Sequence, residues 1–377
     1  MRFLTADYLF PLHITPIKEG VLQISNEGEV IAIHKKRNKV PLNKLEIFDG
    51  ILCPGFVNAH CHLELSHLKG IAEKGKGFLD FLATVQKRNE FSREQVQQSI
   101  EAAEQQMMKN GIVAVVDICN TSDTILQKQK GNLNYYNFIE TFQLYEDKIE
   151  ETINSAKLLR YAFRTKKLKA TIIPHAPYSV PPKLMQKISE SVDKKDMILC
   201  IHNQETNEEN NLFEKKTGDL FNWLNRLDAS KTIWEKRNKS SDIISELKNN
   251  NLMLVHNTFT TQEDVTNNYY CTCPKANLYI ENALPDYSIF NIDKLCVGTD
   301  SLASNNSLSI LEELFVIKEN SNFDLNCLLK LASKNAAEIF GFKNLGTFKK
   351  GKTPGVNLLQ NLDRLEILDR SYVKKLT

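Results

Sequence analysis

No apolar stretch in this 377-residue chain approaches the roughly 18 residues that span a bilayer, so a transmembrane helix is not expected. A strong charge of either sign is also missing. Lys and Arg number 48 against 46 Asp and Glu, and the formal charge of +2 argues against a nucleic-acid or membrane surface as partner. The basic clusters Lys35-Lys36-Arg37 and Lys349-Lys350-Gly351-Lys352 read as solvated turns. Met1-Arg2-Phe3-Leu4 does not read as a secretory signal, and neither an internal repeat nor a low-complexity linker stands out, so a cytoplasmic location is expected. The eight cysteines are scattered, and several fall inside apolar runs, which suits buried free thiols better than a disulfide framework. Cys271-Thr272-Cys273 lacks the four ligands and wider pair spacing of a structural zinc site and reads as core. Tryptophan is rare too. Trp223 and Trp234 both lie between residues 214 and 239, with Phe213, Phe221 and Leu227 nearby at almost helical spacing. That segment is expected either to cover an aromatic ligand or to pack as a helix pair on the outside of the fold.

Histidine is scarce as well, with eight in the chain, yet five of them close short apolar segments. Gly55-Phe56-Val57-Asn58-Ala59 leads into His60-Cys61-His62. On an extended strand residues i and i+2 share a face, so both rings can reach one ion while Cys61 points away. Ala170 to Pro174 ends in His175, Met197 to Ile201 in His202, Leu252 to Val255 in His256, and Leu295 to Thr299 in the carboxylate Asp300. Independent core histidines would not line up in this way, and a metal site is the first hypothesis. His13, His34 and His67 fall outside the series and read as surface residues.

Continuous apolar runs bounded by turn residues fit strands buried on both faces, as in a parallel sheet. They start near Ile51, Ile112, Tyr136, Thr171, Ile198, Leu252, Tyr269 and Leu295, and helical spacing recurs between them, as in Glu94 to Asn110, Lys183 to Val192, Asp242 to Asn249 and Ser309 to Glu319. The expected fold class is α/β: a (β/α)8 TIM-type barrel over 51–345, where chemistry sits at the carboxyl ends of the strands. Residues 1–50 alternate apolar and polar, and the tail 346–377 carries Gly351, Pro354 and Gly355 before Val356-Asn357-Leu358-Leu359. Both ends are expected to pair into one small β-sandwich domain.

Pro54 to Glu64, His175-Ala176-Pro177-Tyr178-Ser179, His202-Asn203-Gln204-Glu205, His256-Asn257 and Gly298-Thr299-Asp300-Ser301 resemble, in order, the motifs of the metal-dependent amidohydrolase superfamily. They are most similar to its branch of aromatic-ring deaminases and chlorohydrolases. Asn335-Ala336-Ala337 and Gly346 to Lys352 resemble the family's closing helix and its return to the sheet domain. The resemblance implies His60, His62, His202 and Asp300 as ligands of a single divalent ion, zinc or alternatively iron, because His175 stands where two-metal relatives carry a modified lysine. It also implies Glu205, His256 and Asp300 as catalytic groups and Glu64 and His175 as substrate contacts. His62-Leu63-Glu64-Leu65-Ser66 and Thr299 to Asn305 look most like aminodeoxyfutalosine deaminases.

Elementary chemistry leads to the same reaction. A divalent ion lowers the pKa of its water from 15.7 to about 7, giving a nucleophile for an electron-poor ring carbon. Asp300 would take the water's proton, Glu205 would protonate the ring nitrogen and help ammonia leave, and His256 would hold the attacking oxygen. The expected partner is a small molecule, a purine-nucleoside-like compound, and a homodimer stays open. Opening of a cyclic amide, displacement of ring chloride and a non-catalytic scaffold are the rival readings, and Glu205 at the ring-protonating position argues for deamination.

Overall fold

The apolar runs form strands whose side chains are buried on both faces, which is why they lack alternation. The computed structural model describes residues 1–193, 196, 198–227, 237–247 and 251–377. Eight strands carry the central fold: β1 (Phe56–Cys61), β2 (Ile112–Cys119), β3 (Asn134–Thr141), β4 (Lys169–Pro174), β5 (Leu199–Asn203), β6 (Leu252–His256), β7 (Tyr269–Thr272) and β8 (Leu295–Val297). They pair in parallel as two half-sheets, β4-β3-β2-β1 and β5-β6-β7-β8. Short hydrogen bonds fasten both seams. Between β8 and β1, the Thr299 and Asp300 amides donate to the His60 carbonyl at 3.0 and 3.1 Å, and the Asn58 side chain and Thr299 exchange bonds of 2.7 and 3.0 Å. Between β4 and β5, the His202 amide donates to the His175 carbonyl at 2.9 Å. The result is a (β/α)8 barrel whose seams are closed at the carboxyl ends by candidate site residues.

Helices cover the outside. The one at Arg93–Lys109 starts at a capping box in which Ser92 and Gln95 satisfy each other's amides, and Pro182 opens the helix Pro182–Glu190, where its fixed φ is already helical. Barrel and helices share a continuous apolar core that includes Ile100, Met107, Val115, Phe163 and Leu314. Each such side chain, fully buried, contributes about 1.5–3 kcal/mol.

Ile51–Pro54, expected as the start of the first barrel strand, lies elsewhere. It pairs with Val356–Gln360 and Tyr8–Leu9 in a five-stranded sheet that also holds Ile17–Lys18 and Tyr372–Lys375. The apolar run breaks at Gly55, where the chain passes from that sheet into β1. A Cβ on Gly55 would lie 2.4 Å from Val113 Cγ1 and 2.7 Å from the Pro354 carbonyl, so only glycine lets the strands hand over so closely. A second sheet, Val30–His34, Val21–Ile24, Arg2–Thr5 and Leu45–Ile47, shares an apolar cluster with the first through Leu4, Leu22, Leu52 and Leu358. Strands from both ends of the chain therefore meet. No helix among the described residues is long and apolar enough to cross a membrane.

Candidate metal centre and active site

His60 is the last but one residue of β1, and His62 follows the strand as the chain turns into a short 3-10 helix. His202 lies in β5, and Asp300 follows β8 in a left-handed backbone conformation with φ 56°. All four side chains are buried and converge. His62 Nε2 lies 3.4 Å from His202 Nε2 and 3.5 Å from Asp300 Oδ1, and His60 Nε2 lies 3.6 Å from the same oxygen. Ligands at about 2.1 Å from a tetrahedral ion are separated by about 3.4 Å, so these spacings are those of a coordination shell. The other ring contacts agree with this. His202 Nδ1 is 2.8 Å from the His175 carbonyl, which fixes its proton there and leaves Nε2 as a lone pair. His60 Nε2 has no hydrogen-bond partner although it is fully buried. Burial lowers the pKa of His60, pushes His62 down to about 3 and holds His202 well below its ordinary value, so all three rings are in the neutral, ligating form. Burial opposes ionisation of Asp300, but its close contact with His60 and the surrounding rings keep it well below the usual carboxylate range. Ser304 Oγ donates to Asp300 Oδ2, leaving Oδ1 facing the histidines. The donor set therefore fits one divalent ion.

Glu205 sits just before Thr206, the N-cap of the helix Asn207–Lys215, rather than within that helix. Its backbone is set by Glu209, which accepts the Gln204 amide at 3.0 Å, with Gln204 itself left-handed at φ 45°. Burial raises the pKa of Glu205 to about 7, which suits a group that must give up a proton near neutrality. His256 Nε2 is 3.6 Å from Glu205 Oε1, and His256 Nδ1 is 2.8 Å from Asn277 Oδ1, so the Asn277 carbonyl oxygen accepts the Nδ1 proton. Burial works against a charge on His256, yet the Glu205 and Asp300 carboxylates raise its pKa overall. Its φ of 72° is costly for a side chain branching at a ring, and such strain concentrates at working sites.

These groups open onto a cavity of about 630 Å³ walled by His62, His175, Glu205, His256 and Asp300 at one end and by Phe78, Phe81, Phe142, Tyr178 and Trp223 elsewhere. That volume is in the range of small-molecule sites. His175 Nδ1 lies 2.6 Å from Ser179 Oγ, whose own proton goes to the Ala176 carbonyl, so His175 is left with Nε2 as an acceptor. Trp223 lies on the helix Asp219–Arg226, lines the cavity and packs on the Phe78, Leu212 and Leu220 cluster. Trp234 lies outside the described residues. Cys271 and Cys273 are free core thiols. Glu64, expected to touch substrate, is placed differently. Its carboxylate accepts the Asn120 and Thr121 amides at 3.0 Å and the Thr121 hydroxyl at 3.0 Å, and it is not among the side chains lining the cavity.

Three groups escaped the sequence reading. Asn277 and Ser304 hold His256 and Asp300, and Glu140, at the end of β3, lines the cavity 3.5 Å from His202 Nδ1. Glu140 closes an apolar run just as Asp300 does, a signal present in Tyr136-Asn137-Phe138-Ile139-Glu140.

Comparison with known proteins places the geometry in a family. The model of the Amidohydrolase family matches residues 51–370, and the chain belongs to that family. Among curated proteins it is similar to an adenosine deaminase of Helicobacter pylori, 28% identical over 313 residues, covering 78% of this chain and 74% of the relative. An aminodeoxyfutalosine deaminase of Nitratiruptor is 23% identical over 343 residues, covering 86% and 82%. Among solved structures, Helicobacter pylori aminofutalosine deaminase in complex with methylthio-coformycin superposes with a TM-score of 0.82 at 23% identity, covering 96% of this chain and 93% of that one.

Proposed function

We propose that this chain is a metal-dependent hydrolytic deaminase of an adenine-like nucleoside, with aminodeoxyfutalosine as the narrower candidate, and that 1–50 with 346–377, joined by the strand Ile51–Pro54, form its small domain. The observation that carries the reading is the convergence of His60, His62, His202 and Asp300 at coordination spacing beside the Glu205–His256 pair. These four residues would hold one divalent ion, zinc or alternatively iron. When bound, the ion supplies a Lewis acid and an acidified water.

The chain's own groups account for the rest. Water's oxygen bonds to the ring carbon bearing the amine, and the carbon–nitrogen bond breaks to release ammonia. Asp300 accepts the proton that water loses. Glu205 gives a proton to the adjacent ring nitrogen, then relays one to the leaving amine. Each such transfer contributes about 10²- to 10⁴-fold. His256, its Nδ1 fixed by Asn277, holds the attacking oxygen with Nε2, and His175 Nε2 meets the substrate above the ligands. Glu64 acts through the Asn120–Thr121 turn that it clamps. The aromatic wall excludes water and offers faces for a flat ring. The test is ammonia release from adenosine, 5′-methylthioadenosine, S-adenosylhomocysteine, guanine and aminodeoxyfutalosine by fully metal-loaded protein. Release from at least one purine nucleoside is expected, and silence across the panel refutes the deaminase reading.

A further inference from the structure

Several buried carboxylates stand around the upper barrel, and most are already assigned above. Asp300 and Glu205 belong to the chemistry, and Glu64 spends its oxygens on Asn120 and Thr121. Glu140 is different. Its side chain is 4% exposed and lines the cavity. One oxygen, Oε2, accepts the Asn120 side-chain amide at 3.1 Å. The other, Oε1, is buried with no hydrogen-bond partner. His202 Nδ1 is 3.5 Å from it, but the Nδ1 proton goes to the His175 carbonyl at 2.8 Å. The same proton rules out Nδ1 as a metal ligand, so Glu140, His175 and His202, although clustered, do not form a second ion site.

A buried carboxylate oxygen without a donor costs about 1–3 kcal/mol or more, and on a side chain that lines the cavity a donor brought by the ligand relieves it. Resting on the nucleoside reading above, we propose that Glu140 is a specificity residue that accepts a hydrogen bond from a ribose hydroxyl of the substrate, with Asn120 holding its carboxylate in place. The geometry favours a hydroxyl over the ring amine. Glu140 is the last but one residue of β3, beside Asn120 and Phe142, whereas the proton-transfer pair comes from elsewhere, Glu205 following β5 and His256 ending β6, which leaves the ring to them. It also explains why the acid of the first motif does not line the cavity: Glu64 sets the Asn120 backbone, and the Asn120 side chain sets Glu140.

The experiment compares wild type, Glu140→Gln and Glu140→Ala on adenosine, 2′-deoxyadenosine and 3′-deoxyadenosine, reading kcat and KM by ammonia release and metal per chain by elemental analysis. Wild type is expected to lose about 10- to 100-fold in kcat/KM on the analogue lacking the contacted hydroxyl, the size of the cost of leaving a buried acceptor unpaired. Both variants should lose a similar factor on adenosine, mostly in KM, and no longer discriminate that analogue, with metal content unchanged. Glu140→Gln keeps the volume and guards against a folding failure of the alanine form. Equal slowing on all three nucleosides, or a fall in metal content, would overturn the proposal and make Glu140 a support for His202. If wild type deaminates none of the purine panel, the nucleoside reading fails and this proposal falls with it.

Discussion

Replacing Lys128 with methionine should cost more stability than any surface change, because Lys128 is a cation buried between the barrel strands and the outer helices, over the Phe163 ring. Its side chain is 0% exposed, and Nζ donates to Asp117 Oδ2 at 2.5 Å, to Asn137 Oδ1 at 2.6 Å and to Cys119 Sγ at 3.2 Å. Asp117 is equally buried, and its Oδ1 accepts the Leu63 amide at 2.8 Å, one residue beyond His62. Burial opposes the charge on Lys128, but Asp117 and Cys119 hold its pKa above the ordinary 10.5. The contribution of the Lys128 charge is therefore complete at neutral pH and is lost as pH rises beyond 10.5 through the folded value. Removing one partner of such a pair strands the other charge, at about 3–5 kcal/mol. At about 2.1 cal/mol/K per residue, 377 residues give an unfolding entropy of about 0.8 kcal/mol/K, so Lys128→Met should lower Tm by about 4–6 °C. The assay is thermal and urea unfolding of both proteins at pH 7. Adding Asp117→Leu should recover part of the loss, leaving about 1–3 kcal/mol for the unpaired Leu63 amide. A single variant within 1 kcal/mol of wild type, or a double variant no better than the single, would refute the reasoning.

Gly298→Ala would place a Cβ 2.7 Å from the nitrogen, oxygen and Cβ of His60, so β8 must shift away from β1; lowered metal content by elemental analysis and about 1–3 kcal/mol of lost stability are expected. Burial raises the pKa of Glu313 to about 8 from 4.5, so the folded state favours the protonated form; its contribution is full below 4.5 and lost as pH rises through 8. Wild type should accordingly show a larger fall in urea midpoint between pH 5 and pH 8 than Glu313→Gln does. Glu205→Gln should cut ammonia release by about 10²- to 10⁴-fold with metal retained, whereas Asp300→Asn should reduce both.

What was legible in the sequence is what chain order alone encodes. A parallel barrel puts each strand's last residue on one rim, so five histidines and an aspartate closing successive apolar runs announced both the fold and the rim they share. Ile51 misled because apolar content cannot say which of two sheets a strand joins. That choice is made at Gly55, by Val113 and Pro354, partners 58 and 299 residues away in the chain. Glu64 misled for a related reason: its motif position predicts the rim, but its direction depends on two amides in the turn after β2. Lys128 and Asp117 carry no local sign of their pairing, which exists only because β2, the short helix after it and β3 bring Asn137 and Cys119 around them. In each case the deciding partner is remote in sequence, so the local pattern fixes where a side chain stands and the tertiary hydrogen bonds fix what it faces. A charged residue at the end of a buried strand is therefore worth marking before its partners are known. Asp300 and Glu140 carry that same mark, and only their tertiary partners tell them apart: Ser304 donates to one oxygen of Asp300, whereas Glu140 Oε1 has no donor.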